Sequence, residues 1–390
     1  MNGLKKLLNV LLIIIGIILI VFCVDLIINK TANKTYTELG SVDRDAITEM
    51  CSIISLFDDR KGNDDVWNTN YNLSDTGCII TKTYGSLKGT SYAVNVDLSG
   101  NIFAQKITLP EEYSDIPVYR LSYFAPQTLS LCVPSNDRNY IDLKGEEVYS
   151  VKFSKSTVMY NGSGSLEESF VKDTFEKAVE TPDAPTAEIS EHFQLTEENI
   201  ALTGLQYRII DDICDADTLE EVNELITEYV AVREYQLEGN PTLARQQESI
   251  ELVEGREQFV FYNVSELIGH NITYFNKEKT DAIDFYSAYY HVCTGHYQSS
   301  TEEYFDHMGN VYVGAVLCEI LSDKGLVSNW ENKLDNSSNE SFSSPYSLIR
   351  DYYERACTGI EKKDIDTIKE EYNYGEILNM AKALVQGNAE

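Results

Sequence analysis

Four charged side chains stand where a pair of helices should bury apolar ones. They are Arg233, Glu234, Glu254 and Glu257, in the stretch VREYQLEGNPTLARQQESIELVEGREQFVFY (232–262). Carboxylates in that setting do one of two things. Open to a cleft, they serve as acid, base or oxygen ligand for a metal. Enclosed with a cation, they fix how two helices meet. The spacing argues for enclosure. Val222, Ile226, Tyr229 and Val230 make one helical stripe, and its continuation by three and four residues reaches Arg233 and Leu237. Downstream, Ile250, Val253, Glu257, Val260, Val264 and Leu267 alternate by three and four, which puts Glu257 on the buried face with Glu254 beside it. A buried charge is costly unless paired. Arg233 should therefore meet Glu254 or Glu257, with Glu234 nearby. Gly255, in mid-helix, costs about 1 kcal/mol against Ala, understandable if another backbone or a polar group approaches there.

The remaining candidates carry weaker chemistry. His291, Cys293 and His296 offer three potential ligands, with Asp306 and His307 downstream. Histidines five apart face different sides of a helix unless Gly295 has ended it, so packed or solvated histidines are the plainer reading and no metal is expected. His192 and His270 fall in a linker and at a helix end. In DDICDADTLEE (211–221), Asp215, Asp217 and Glu221 suggest calcium, but the loop lacks the glycine and twelve-residue geometry of an EF-hand. Helix capping explains it without an ion. No G-x-S-x-G or local cysteine signature is present. The tyrosines at 286, 289, 290, 297 and 304 read as half-buried core and rim.

The elements that must hold these residues follow from periodicity. Residues 7–28, LLNVLLIIIGIILIVFCVDLII, are apolar except for Asn9 and Asp25 and match the ~20 residues a membrane-spanning helix needs. Lys5 and Lys6 precede the run, Lys30 and Lys34 follow it, and no A-x-A-like cleavage site closes it. It reads as an uncleaved signal-anchor, with residues 1–6 cytoplasmic. Asp43–Phe57 is an amphipathic helix. From about Gly77 to Ser154, short segments such as GCIITKTYG, TSYAVNVDL, VYRLSYFA, TLSLCVP and EEVYSVKFS alternate with Gly, Asn, Asp and Pro. That pattern predicts an antiparallel sheet of five or six strands, with a hairpin turn at DLSGNIF. Residues 29–180 thus form a β-rich region and 181–198 a linker. Residues 199–390 are helical, with Thr218-x-x-Glu221 as a capping box and Gly325 as a helix-ending glycine. The fold class is α+β: an N-terminal transmembrane helix, an antiparallel β-rich half and an α-helical half.

Composition bounds the partners. The net charge is −32, and outside the first 28 residues 29 basic side chains face 62 acidic ones. Such a surface repels nucleic acid and anionic headgroups and leaves cationic ligands open. The cysteines, at 23, 51, 78, 132, 214, 293, 318 and 357, are scattered singly, which suits buried thiols better than a disulfide scaffold. The N-x-S/T sequons follow from an Asn-rich composition.

One resemblance bears on the opening stretch. Glu254-Gly255-Arg256-Glu257-Gln258-Phe259-Val260 resembles the EGxAxYV segment of bacterial gluzincin-like metallopeptidase relatives, in which that Glu is the third zinc ligand. YVGAVLCEIL (312–321) is similar to a YxxGAxxxxLL helix of such proteins, and the region from Trp67 through YAVNV resembles their β-rich half. The resemblance covers about 67–355 and implies an HExxH motif one helix earlier. Here that place holds Arg233-Glu234-Tyr235-Gln236-Leu237. Glu234 keeps the general-base position, while Arg233 and Leu237 replace both histidines. Arginine cannot ligate zinc, so the resemblance implies a kept scaffold with lost chemistry, Arg233 standing in for the metal's charge against Glu254. The function expected is a single-pass, membrane-anchored, extracytoplasmic protein of the cell membrane, held in the lipid bilayer through residues 7–28. It would bind a peptide or an envelope component without catalysis and without a cofactor. The alternatives are a cell-surface hydrolase using Glu234, Glu254 and Glu238, to which alone zinc would belong, and an envelope structural protein.

Overall fold

A computed structural model of the chain describes residues 2–58, 66–68, 71–129, 138–143, 145–158, 165–179, 190–269, 285–296 and 300–387. Cys132, Tyr297, His270, most of TLSLCVP and residues 181–189 of the linker lie outside them. The chain divides into two units, residues 1–174 with 267–270, and residues 175–266 with 271–390.

The first unit begins with α1 (Asn2–Thr31). Its apolar run is long enough to cross a membrane, and an 18-residue window within Asn9–Thr31 reaches a mean hydropathy of 3.4. α2 (Ser41–Asp58) follows and buries Ile47, Met50, Ile54 and Phe57. Each such side chain contributes roughly 1.5–3 kcal/mol on burial. Six strands come next: β1 (Cys78–Tyr84), β2 (Leu87–Val94), β3 (Ala104–Lys106), β4 (Val118–Leu121), β5 (Arg138–Leu143) and β6 (Glu146–Phe153). They lie in the order β3-β4-β2-β1-β6-β5.

Two details differ from the sequence reading. The sheet is mixed, not antiparallel, because β1 and β6 pair in parallel, Cys78 opposite Tyr149. Alternating strand signals imply hairpin neighbours, and β1 instead takes β2 on one side and a strand from much later on the other. The turn at DLSGNIF exists, with Gly100 at φ +77°, but it joins β2 to a strand that pairs with β4. One face of the sheet buries Ile79, Ala93, Leu98, Tyr119, Leu121 and Val148. Near the end of this unit, α3 (Leu166–Val179) receives the Tyr149 hydroxyl at Ser169 O and at the Asp173 carboxylate.

The second unit is helical. α4 (Glu197–Asp215) and α5 (Leu219–Leu237) are capped by Thr196 and Thr218, whose hydroxyls accept from Asn199 N and Glu221 N. α6 (Pro241–Ile250) runs into a wide turn at Glu251–Gly255, wound as a π-helix, and continues as α7 (Arg256–Leu267). After α8 (Phe285–Cys293), a second π turn at Tyr304–Met308 leads into α9 (Gly309–Asp323), which ends at Gly325, φ +60°. α10 (Pro345–Ala356), α11 (Ile365–Glu371) and α12 (Tyr374–Gly387) complete it. The last two helices are divided at Asn373, which has φ +50°. The described cysteines are free thiols, and Cys51, Cys78, Cys293, Cys318 and Cys357 are buried.

Candidate functional site

Gly255 lets two helices touch backbone to backbone. A Cβ built there would lie 2.7 Å from Gly314 Cα, and one on Gly314 would lie 2.5 Å from Glu251 O. The approach anticipated at Gly255 is present, and its partner is a second mid-helix glycine, on α9.

The wide turn also changes which carboxylate faces inward. Stepping back by four from Val264 passes Val260 and Arg256, and the five-residue step of a π turn then lands on Glu251. All four are buried, Glu251 completely. A uniform three–four count runs instead through Glu257 and Val253, which are only half-buried.

Arg233 is therefore inward, at 3% exposure, but its partner is Glu251, Nη2 to Oε1 at 2.6 Å. Its other Nη donates to the Tyr229 hydroxyl at 3.0 Å, and the guanidinium lies 3.9 Å from the centre of the Tyr346 ring. Burial pushes the Glu251 carboxyl up, opposed by Arg233, while Glu251 helps hold Arg233 protonated. Among the described residues, Arg233 Nε and Glu251 Oε2 have no hydrogen-bond partner. Arg233 borders a small, partly open cavity of about 20 Å³ with Gln206, Tyr207 and Gln247, the size of a single water.

The other sequence candidates separate. Glu234 and Glu238 are exposed, away from this cluster. Glu254 meets His307, Oε1 to Nε2 at 2.7 Å, both partly open to solvent. That hydrogen bond holds the imidazole above its usual range. His291 and His296 come to 6.3 Å between ring centres because Gly295, φ +71°, ends α8 between them. Among the described residues, no three His, Cys, Asp or Glu side chains converge to hold a metal ion. Sequence reasoning missed Glu251 and two further pairs. His192 meets Asp306 at 2.7 Å, and the buried Arg256 meets Asp335 at 3.0 Å.

An open cleft of about 860 Å³ lies elsewhere in this unit, where α4, α5 and the start of α8 meet the α11–α12 break. Its wall includes Asp211, Asp212, Asp215, Asp217, Glu221, Glu224, Glu228 and Glu371, against the cations Arg208 and Lys363. The Asp211 carboxylate caps α8, accepting from Phe285 N and Tyr286 N. Lys363 bridges Glu228 and Glu371, 2.6 Å from each. The acidic stretch read for capping thus also shapes a wall that favours positive charge.

No family model, curated protein or solved structure matches the chain.

Proposed function

We propose that the chain is a single-pass, membrane-anchored extracytoplasmic module whose helical unit binds a peptide or an envelope component and does not cleave it. The observation that carries this reading is the enclosure of Arg233 with Glu251, 3% and 0% exposed. A cation sealed against its carboxylate leaves no vacancy for a substrate or a hydrated metal. On the resemblance to gluzincin-like relatives, the site has been refitted as structure, through Glu251 where Glu254 was expected. α1 supports the anchor by length and hydropathy. The acidic cleft supports a ligand of positive charge, since eight carboxylates outnumber two cations on its wall.

The test uses the full chain in detergent micelles, purified without chelator or added metal. Less than stoichiometric zinc, together with salt-sensitive binding of an oligolysine peptide weakened by Glu224→Gln, is the expected result. One zinc per chain, lost in Glu254→Ala, would overturn it. Absence of oligolysine binding at millimolar peptide would remove the cleft from the reading.

One observation favours the hydrolase alternative, the partly open Glu254–His307 pair, which has the geometry of an acid–base dyad. Hydrolysis of peptide substrates by the full chain, abolished by Glu254→Gln, would establish it.

A further inference from the structure

The last turns of α1 do not project freely from the sheet unit. Phe22, Asp25, Leu26 and Asn29 fall at helical spacing and are part-covered or buried, while the other residues from Ile17 to Lys30 are exposed. Phe22 packs edge-on against Phe103, ring centres 5.9 Å apart, and lies 6.2 Å from Phe124. Asp25 accepts from the Ser122 hydroxyl and from Tyr123 N and Phe124 N. Asn29 donates to Phe103 O at 2.9 Å and accepts from Arg120 Nε at 3.0 Å. The Arg120 guanidinium also donates to the carbonyls of Asn29 and Ala32, and Lys30 to that of Ala104.

Length fixes what this grip means for depth. The sixteen residues from Leu7 to Phe22 rise about 24 Å as a helix, short of the ~30 Å hydrocarbon core. A span that begins at Leu7 must therefore continue past Phe22 to about Leu26 before the core is crossed. The loops holding Phe103 and Phe124 lie beside Phe22, so they reach the depth of the hydrocarbon edge. Asp25 agrees with this. A carboxylate at that level is expensive unless partnered, and loop 122–124 supplies the partners.

The same end of the sheet carries apolar side chains that are exposed among the described residues. The β1–β2 turn exposes Tyr84 at 63% and Leu87 at 69%, and Ile102 and Tyr123 are exposed at 63% and 44%. Strand directions put them together: β1 ends and β2 begins here, β4 runs towards this end, and β3 starts from it. Lys88 ties the turn to the loop by donating to Tyr123 O at 2.7 Å, its ammonium 4.7 Å from the Tyr123 ring centre. Aromatic rings beside lysines are the side chains that favour the boundary between hydrocarbon and headgroups. The strongly acidic character of the chain does not oppose contact here, where Lys30 and Lys34 are exposed.

We propose that this end of the sheet, presenting Tyr84, Leu87, Ile102 and Tyr123 with Phe103 and Phe124 behind them, is embedded in the interfacial layer of the bilayer that α1 crosses. The first unit is then seated on the membrane at a fixed orientation. The inference rests on the reading of α1 as a span. Its occupant is lipid, bound through apolar contact and not through anionic headgroups.

The test places tryptophan on the full chain in phosphatidylcholine vesicles. Leu87→Trp and Ile102→Trp are read against Asp75→Trp, an exposed site just before β1 at the opposite end of the sheet. The unsubstituted chain supplies the background from Trp67 and Trp330. Lipids labelled with a nitroxide near the headgroup are expected to quench Leu87→Trp and Ile102→Trp at least twofold more than Asp75→Trp. Equal, weak quenching of all three in chains that resist carbonate extraction would overturn this inference and leave the span intact. Extraction of the chain by carbonate would overturn both. Shielding of Leu87→Trp from acrylamide without lipid quenching, with dimers on cross-linking, would assign the surface to a second copy of the chain.

Discussion

The Arg233 guanidinium and the Glu251 carboxylate are enclosed together, 2.6 Å apart on α5 and on the wide turn between α6 and α7. The pair is a structural fixture, and both partners are needed. Arg233→Met leaves Glu251 alone in the interior and should destabilise the helical unit by about 3–5 kcal/mol near neutral pH. Glu251→Leu combined with Arg233→Met should cost less than the two single changes together. Because burial raises the Glu251 carboxyl, the isolated acid takes up a proton on acidification. The Arg233→Met penalty should then shrink from pH 8 to pH 5. Urea unfolding of the full chain in micelles checks both, and a pH-independent penalty with additive double loss would refute the account.

Gly255 and Gly314 make a sharper test, since neither carries a side chain that could be missed. Alanine at either position drives a Cβ into backbone at 2.5–2.7 Å. Each should destabilise by about 1–3 kcal/mol, although alanine is the better helix former. Gly359→Ala, where nothing among the described residues lies within 4 Å, should be close to neutral. A stabilised Gly314→Ala would mean that the two helices do not touch as described.

A buried acid in the first unit links stability to pH. Glu49 on α2 is pushed up to about 8, first by burial and then by Glu167 and Asp45, with the Glu167 backbone amide opposing. The folded value lies above the unfolded one. Its contribution is therefore complete below about pH 4.5 and is lost as pH rises through 8. Glu49→Gln should flatten the decline in thermal midpoint between pH 5 and 9, worth a few kcal/mol at the alkaline end. Identical profiles for the two proteins would rule this out.

His307 should titrate above an ordinary imidazole, because its Nε2 is hydrogen-bonded to Glu254. Nuclear magnetic resonance of the ring protons would show the midpoint, and Glu254→Gln should lower it. No movement would separate the two residues.

Much of this fold is legible in the sequence, and the exceptions have physical causes. Thr218 caps α5 as its capping box indicates, and Gly325 ends α9 as a left-handed glycine should. Arg233 falls inward because the stripe Val222–Tyr229–Val230 fixes its face. Its partner was not legible, since a uniform helical count cannot reveal a single five-residue step. The cue was the pairing of Gly255 with Gly314, two glycines inside helices. Glu254 and His307 lie 53 residues apart, and only tertiary packing joins them. β5, rich in Arg, Asn and Asp, carries little strand propensity of its own and borrows its conformation from β6.

The parallel pairing of β1 with β6 has a consequence for the order in which the chain is assembled. Tyr149 is made about seventy residues after its neighbour Cys78, and loop closure over that separation is slow. As the polypeptide emerges, the β1–β2 hairpin is available early while the far edge of β1, with Ile79 and Ile80, waits without a ladder partner. That interval is the time of greatest exposure to mispairing with other nascent strands.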